Sequence, residues 1–298
     1  MMKYGIATLI IMSIFGIAPL WAAPKEAVVL VDLTNPAILE EAKRAIQGAV
    51  NSAPEETCLQ VIGITDRSFS SPRIILERDC IPTRLFILDP KPLEAKQRMS
   101  AQWEKRSQEL SPTDQGANAR QSNPRSSTPQ LTRNQRVSDV FGAFAYAALI
   151  LNSRNSEAEK LLVVFSPLRH NAGGISFHCV TEIEAELLKR VQERGLIPSL
   201  KGVKVTLLGV HTQGKEERYY NSLRRFYEQY FQAAGASIET FSPTSHLALG
   251  TQTASQDNHA PSLARPVQVG MVEEQCRDKY QKANEPGGKR KSPQPRKS

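Results

Sequence analysis

Between residues 24 and 243 the chain alternates short runs of apolar, β-branched residues with longer stretches whose apolar positions recur at helical spacing. That alternation predicts strands followed by helices that cover both faces of a mostly parallel sheet. The first run, Ala27-Val28-Val29-Leu30-Val31, is continuously apolar. It therefore reads as a central strand, buried on both faces and ending at Asp32. Pro36 suits a first helical position, with Asn35 or Thr34 as cap, and Ile38, Ala42, Ile46 and Ala49 or Val50 give that helix one apolar face.

Residues 57–65 and 73–80 read as two strands around the turn-rich stretch 66–72, followed by the apolar segment 84–88 and a helix over 93–110 with Met99 and Trp103. Ser138 caps the next expected helix, in which Val140, Phe141, Phe144, Ala148 and Leu151 share a face. Then come a strand over 160–166, a glycine-containing loop over 170–177, a helix over 181–193 closed by Gly195, and a strand over 203–210. A long helix over 216–234, closed by Gly235, carries Tyr220, Leu223, Tyr227, Tyr230 and Phe231 as an aromatic stripe, a core-packing pattern, before a last strand over 237–241. The expected fold class is α/β, with a three-layer, doubly wound, mostly parallel sheet and one antiparallel hairpin strand.

Three segments break the pattern. Residues 111–136 are rich in Ser, Asn, Gln, Pro and Arg, with Leu131 as their one large apolar residue, so burial cannot offset the entropy of ordering them. They read as a flexible insertion whose Arg120, Arg125, Arg133 and Arg136 make it either a solvated linker or an interaction loop. From residue 244 onward small and polar residues and a basic end predict a mostly disordered tail, with one short helix as an option over 269–283. At the other end, Lys3 precedes an uncharged stretch, residues 4–23, that finishes Pro19-Leu20-Trp21-Ala22-Ala23. This reads as a secretory signal over residues 1–22 cut after Ala22, with an uncleaved membrane anchor as the alternative. The expected location is periplasmic or secreted.

Export changes how the four cysteines are read, because thiols outside the cytoplasm tend to pair. Pairing residues 57–65 with 73–80 so that Thr65 faces Arg73 puts Cys58 opposite Cys80, which favours that bridge among the three connectivities over two buried free thiols. Cys179 and Cys276 are left to tie the tail to the domain. No cysteine spacing matches a zinc site. The net charge of +8 suggests acidic partners, yet Lys289, Arg290, Lys291, Arg296 and Lys297 crowd into the tail. With no interleaved basic and aromatic pattern, nucleic acid is not an expected partner.

In open α/β sheets ligands bind beyond the carboxyl ends of the strands. Three loops should meet there: residues 32–36, the helix start at Val137-Ser138-Asp139, and Ser166-Pro167-Leu168. On strand order and helix placement across residues 27–241, the chain resembles the von Willebrand factor A family. Val-Asp-Leu-Thr-Asn-Pro, the cysteine-containing hairpin, Trp103, Ser138 at a helix start and residues 226–235 resemble more particularly the A-like proteins of bacterial accessory or mobile elements.

The resemblance implies a metal-ion-dependent adhesion site built from an Asp-x-Ser-x-Ser run after the first strand, a Thr or Ser from a second loop and an Asp after a later strand. Carried over, Asp32 and Thr34 match the first two ligands of the run and Ser138 the second-loop hydroxyl, so a magnesium site would use Asp32, Thr34 and Ser138. This chain departs from the pattern at Pro36, the third position of the run, and at Pro167, where an Asp should follow Ser166; Asp139 is a distant substitute. A degenerate site without a cofactor is therefore expected, with Asp32 and Thr34 capping the first helix and stitching the loops together.

Enzyme readings fare worse. A haloacid dehalogenase-like phosphotransferase would need a second acid two residues after Asp32, where Thr34 stands. Ser166 lacks the Gly-x-Ser-x-Gly elbow of a serine hydrolase, and His170 and His178 read as surface residues of a loop. The expected function is an exported, non-enzymatic protein-binding module acting through Asp32, Thr34, Ser138, Asp139 and Ser166, within an envelope assembly of conjugation or secretion type. The alternative is a magnesium-dependent adhesive module that captures an acidic group.

Overall fold

A computed structural model describes residues 24–110, 137–154, 157–177, 180–210 and 215–244. The insertion at 111–136, the tail from 245, residues 1–23, His178, Cys179 and Cys276 lie outside the described residues. The elements run β1 (Lys25–Asp32), α1 (Pro36–Ser52), β2 (Thr57–Ile64), β3 (Arg73–Cys80), α2 (Lys91–Gln108), α3 (Val140–Asn152) and β4 (Glu159–Phe165). After them come β5 (Asn171–Ala172), β6 (Ile175–Ser176), α4 (Glu186–Glu193), β7 (Val203–Leu208), α5 (Glu217–Ala234) and β8 (Ser237–Phe241).

The main sheet is six-stranded in the order β3-β2-β1-β4-β7-β8. Every pairing is parallel except that of β3 with β2. Strand order therefore reverses between β1 and β4, the two innermost strands. The period-two alternation of side chains divides each central strand between two cores. Val28 and Leu30 of β1, with Leu162 and Val164 of β4, face one cluster completed by α3 and α5. Val29 and Val31, with Val163 and Phe165, face the other, completed by α1 and α2. This two-sided burial is why β1 and β4 are continuously apolar in sequence, and it yields three layers, helix, sheet and helix.

Helix ends follow local chemistry. Asn35 caps α1, its side chain accepting from the backbone N–H groups of Ala37 (3.1 Å) and Ile38 (3.4 Å), with Pro36 at the first helical turn. Gly235 ends α5 in the left-handed region at φ 79°. Trp103 is fully buried and donates its indole N–H to the Lys43 carbonyl (3.2 Å), which locks α2 onto α1.

The Cys58–Cys80 disulfide is present, with a Cα–Cα distance of 4.0 Å. The register that produces it differs from the expected one: Arg73 faces Gly63, not Thr65. Register shifts between Leu59 and Ile62 restore the pairing of Cys58 with Cys80. The bulged β3 thus reaches the same bridge by another route.

Other expectations need correction. The helix expected over 181–193 is confined to Glu186–Glu193, because the Ile183 N–H is taken by the Ser222 hydroxyl (2.9 Å). Tyr219 and Phe226 are buried in the stripe of α5, while Tyr220 is half-buried against Phe241. Residues 84–88, apolar as any strand, form an exposed turn.

Candidate functional site

The sheet's carboxyl edge opens where β1 and β4 diverge toward opposite directions of strand order, the place where α/β sheets bind ligands. Asp32 ends β1 there and is 1% exposed. One carboxylate oxygen accepts from the Thr34 hydroxyl (2.6 Å) and the Thr34 N–H (2.9 Å). The other accepts from the Ser166 hydroxyl (2.8 Å) and, at the limit of hydrogen-bond length, the Ser138 hydroxyl (3.5 Å). The three loops after β1, before α3 and after β4 thus converge on a single carboxyl group. Burial raises its pKa above the ordinary aspartate value, and the hydrogen bonds from Thr34, Ser166 and Ser138 offset part of that rise.

Each donor is held by its own loop. The Ser166 hydroxyl also accepts from the Leu168 N–H (3.0 Å), bending the chain so that Leu168 sits fully buried at φ 58°. Tyr227 of α5 donates to the Leu168 carbonyl (2.8 Å) and fixes the turn from beneath. Ser138 does not cap α3 as expected; Asp139 does, accepting from the Gly142 N–H (2.9 Å). Gly142 is needed for that cap, since a Cβ there would lie 2.6 Å from the Asp139 carboxyl carbon. The Asp139 N–H in turn donates to the Thr65 carbonyl (2.7 Å), so the loop after β2 is bound to the start of α3 and the Ser138 hydroxyl is left facing Asp32. Asp139 itself is half-buried, which raises its pKa against hydrogen bonds from the Gly142, Phe69 and Ser68 backbones.

His170 is not the surface residue that its glycine-containing loop suggested. The β5–β6 hairpin folds it inward, 2% exposed, with its ring centroid 4.2 Å from that of Phe141. Nε2 lies 3.0 Å from the Ala172 carbonyl and Nδ1 lies 3.5 Å from the Phe141 N–H, which fits a neutral ring donating through Nε2 and accepting at Nδ1. Burial pushes its pKa down to about 4. Both nitrogens are engaged away from Ser166, so the pair does not form a nucleophile and base. The carboxylate of Asp32, enclosed by donors, is likewise poorly placed as a nucleophile.

A magnesium ion takes six oxygens in near-octahedral geometry. The residues here do not fit that demand. Pro36 and Pro167 add no side-chain oxygen, Thr34 and Ser166 bond directly to the carboxylate, and burial disfavours its charge. Among the described residues no group of three or more His, Cys, Asp or Glu could hold a metal.

Sequence reasoning missed the apolar rim of the site. Phe69 in the β2–β3 turn is 52% exposed and Val137 before α3 is 40% exposed, and the backbone bonds to Asp139 bring their two loops together. The clustering of Asp66, Arg67 and Phe69 in one turn was the available signal.

No protein-family model matches the sequence, and no curated protein matches it. Solved structures similar to it include a von Willebrand factor type A protein from Catenulispora acidiphila (12% identity, TM-score 0.40), covering 87% of this chain and 42% of that one. The pilus adhesin SpaC from Lactobacillus rhamnosus GG, in its open conformation, is similar at 10% identity and TM-score 0.40, over 88% of this chain and 30% of that one. The PilB minor pilin from Streptococcus sanguinis is similar at 9% identity and TM-score 0.43, over 89% of this chain and 62% of that one. The chain thus spans less than two thirds of each of these three. Its own topology, a doubly wound, mostly parallel sheet with one antiparallel edge strand, is the α/β arrangement expected of a von Willebrand factor A or Rossmann-like fold.

Proposed function

We propose that this chain is a non-enzymatic protein-binding module of von Willebrand factor A type that docks its partner through the loops at the carboxyl edge of the sheet, without a metal ion. The observation that carries the reading is the buried Asp32 carboxylate, whose donors from three loops do the organising work that an ion would otherwise do. Above this fixed base stand Phe69 and Val137, with the exposed Asp66 and Arg67 beside them. An aromatic anchor with a charged rim on a rigid platform is the composition expected of a protein docking site.

The domain is proposed to run over residues 24–243, preceded by a signal over 1–22, interrupted by a flexible insertion at 111–136 and followed by a basic, disordered tail. The disulfide supports export, since such bridges persist in oxidising compartments. The setting we propose is periplasmic or secreted, in an envelope assembly of a bacterial accessory element.

Photo-crosslinkers placed at Phe69 and, as a control on another face, at the exposed Leu149 of α3 test the docking edge in the native cell. Adducts at Phe69 that are absent at Leu149 and weakened by Val137→Asp support the reading. Equal labelling at both positions, or none at Phe69, overturns it.

A further inference from the structure

At the opposite edge of the sheet, β3 leads into a turn that exposes four large apolar residues in succession: Leu85 at 74%, Phe86 at 61%, Ile87 at 86% and Leu88 at 85%. Leu93, in the first turn of α2, is 59% exposed. Scattered exposed apolar residues are ordinary, but a contiguous apolar projection marks an interaction site.

The turn is built to hold this shape. Asp89 accepts from the Leu85 N–H (3.0 Å) and the Lys91 N–H (3.1 Å), and its own N–H donates to the Phe86 carbonyl (3.0 Å). These bonds, that from Leu85 first, hold the Asp89 carboxyl below the usual aspartate range. Pro82, Pro90 and Pro92 stiffen both flanks. The Thr83 hydroxyl bonds the Glu56 carboxylate and the Arg84 N–H donates to Glu55 (2.7 Å).

Two observations select what covers it. The four consecutive side chains are all exposed, so a groove that reads alternate residues of a strand or one face of a helix would leave half of them wet. A surrounding apolar medium buries all of them. Position gives the second argument. Glu56 N–H bonds the Ile81 carbonyl (2.8 Å) and the Lys25 N–H bonds the Glu56 carbonyl (2.9 Å), so the turn is fastened beside the first residue of β1. The uncharged stretch of residues 4–23 enters the domain at that point. A bilayer that holds this stretch, as a signal before cleavage or as an uncleaved anchor, faces the edge from which the turn projects.

We propose that residues 85–88 form a membrane-inserting loop that seats the domain on a lipid bilayer by its amino edge, leaving the carboxyl edge turned away from the membrane. The ion pair of Arg84 with Glu55 just before the turn, and Lys91 and Glu94 in the first turn of α2 just after it, give flanking charges of mixed sign suited to zwitterionic headgroups, so insertion does not require anionic lipid.

The test uses the full chain carrying Phe86→Trp, on phosphatidylcholine vesicles with ordinary or brominated acyl chains, with the unsubstituted chain subtracted to remove Trp21 and Trp103. The emission gained at position 86 is expected to shift to the blue on vesicles and to be quenched by the brominated chains. Adding Ile87→Asp and Leu88→Asp is expected to remove most of that quenching, while moving the melting midpoint by no more than about 2 °C, as for exposed positions. An indole that stays water-exposed on vesicle-bound protein overturns the proposal, as does failure of the full chain to bind vesicles. A blue shift without bromine quenching also overturns it, and assigns the loop to a protein surface instead.

Discussion

Truncating Asp32→Ala removes the acceptor of four hydrogen bonds at once. The hydroxyls of Ser138 and Ser166 are left in a site from which water is excluded, and each orphaned buried donor costs about 1–3 kcal/mol. Against this, the variant no longer buries a carboxylate whose ionised form is disfavoured by desolvation, as its raised pKa shows. The Ser138 contact is long, so the net expectation is a loss of about 3 kcal/mol, or roughly 6–12 °C in midpoint for a domain of this size.

Asp32→Asn separates geometry from charge. It keeps the shape, and the serine hydroxyls can turn to accept from the amide, so at neutral pH it should lie within about 1 kcal/mol of the parent protein. The pH dependence has a definite sign. A carboxyl with a raised folded-state pKa contributes stability that is fully present below the unfolded value of 3.8 and is lost as pH rises through the folded value. The asparagine variant should therefore gain on the parent as pH rises out of the acid range. Chemical denaturation of the three proteins between pH 3 and 7 supplies the measurement. An alanine variant as stable as the parent, or an asparagine variant as damaged as the alanine, would show that the four bonds to Asp32 do not hold the loops together.

Cys58→Ser with Cys80→Ser opens a loop closed over a sequence separation of 22 and should cost about 3 kcal/mol, read as a lower urea midpoint matched by dithiothreitol treatment of the parent. His170, held neutral with its pKa near 4, should weaken the fold as pH falls from 6.5, by up to about 3 kcal/mol once pH is below 4. That acid-side loss should be absent in His170→Gln; its persistence would place the titrating group elsewhere. Trp103→Ala should cost about 3–5 kcal/mol and release α2 from α1, seen as faster hydrogen exchange over residues 91–108.

Much of this fold is written in local pattern. The runs that became β1 and β4 are legible because burial on both faces leaves no polar position, and Asp32 stands out as the first charge after such a run. The cap of α3 was not legible: Ser138 and Asp139 are both good caps, and the choice is made by the Asp139 bond to Thr65, a contact between segments far apart in sequence. The same limit hid His170, which looks like a loop residue until β5 and β6 fold it under Phe141. In α5, the stripe read as packing alone also fixes the site, because the Tyr227 hydroxyl reaches the Leu168 carbonyl. Residues 84–88 fail in the other sense, since apolarity there marks a surface and not a core.

Whether hydroxyl and amide donors on Asp32 organise the docking loops in place of an ion is decided by melting the protein against increasing Mg²⁺ and Mn²⁺. A ligand that binds only the folded state at a hundred times its dissociation constant would add about 2.7 kcal/mol. The midpoint is expected to stay unchanged up to millimolar ion, in the parent and in Asp32→Ala alike. A midpoint that climbs with ion concentration in the parent and not in Asp32→Ala would show that an ion does this work.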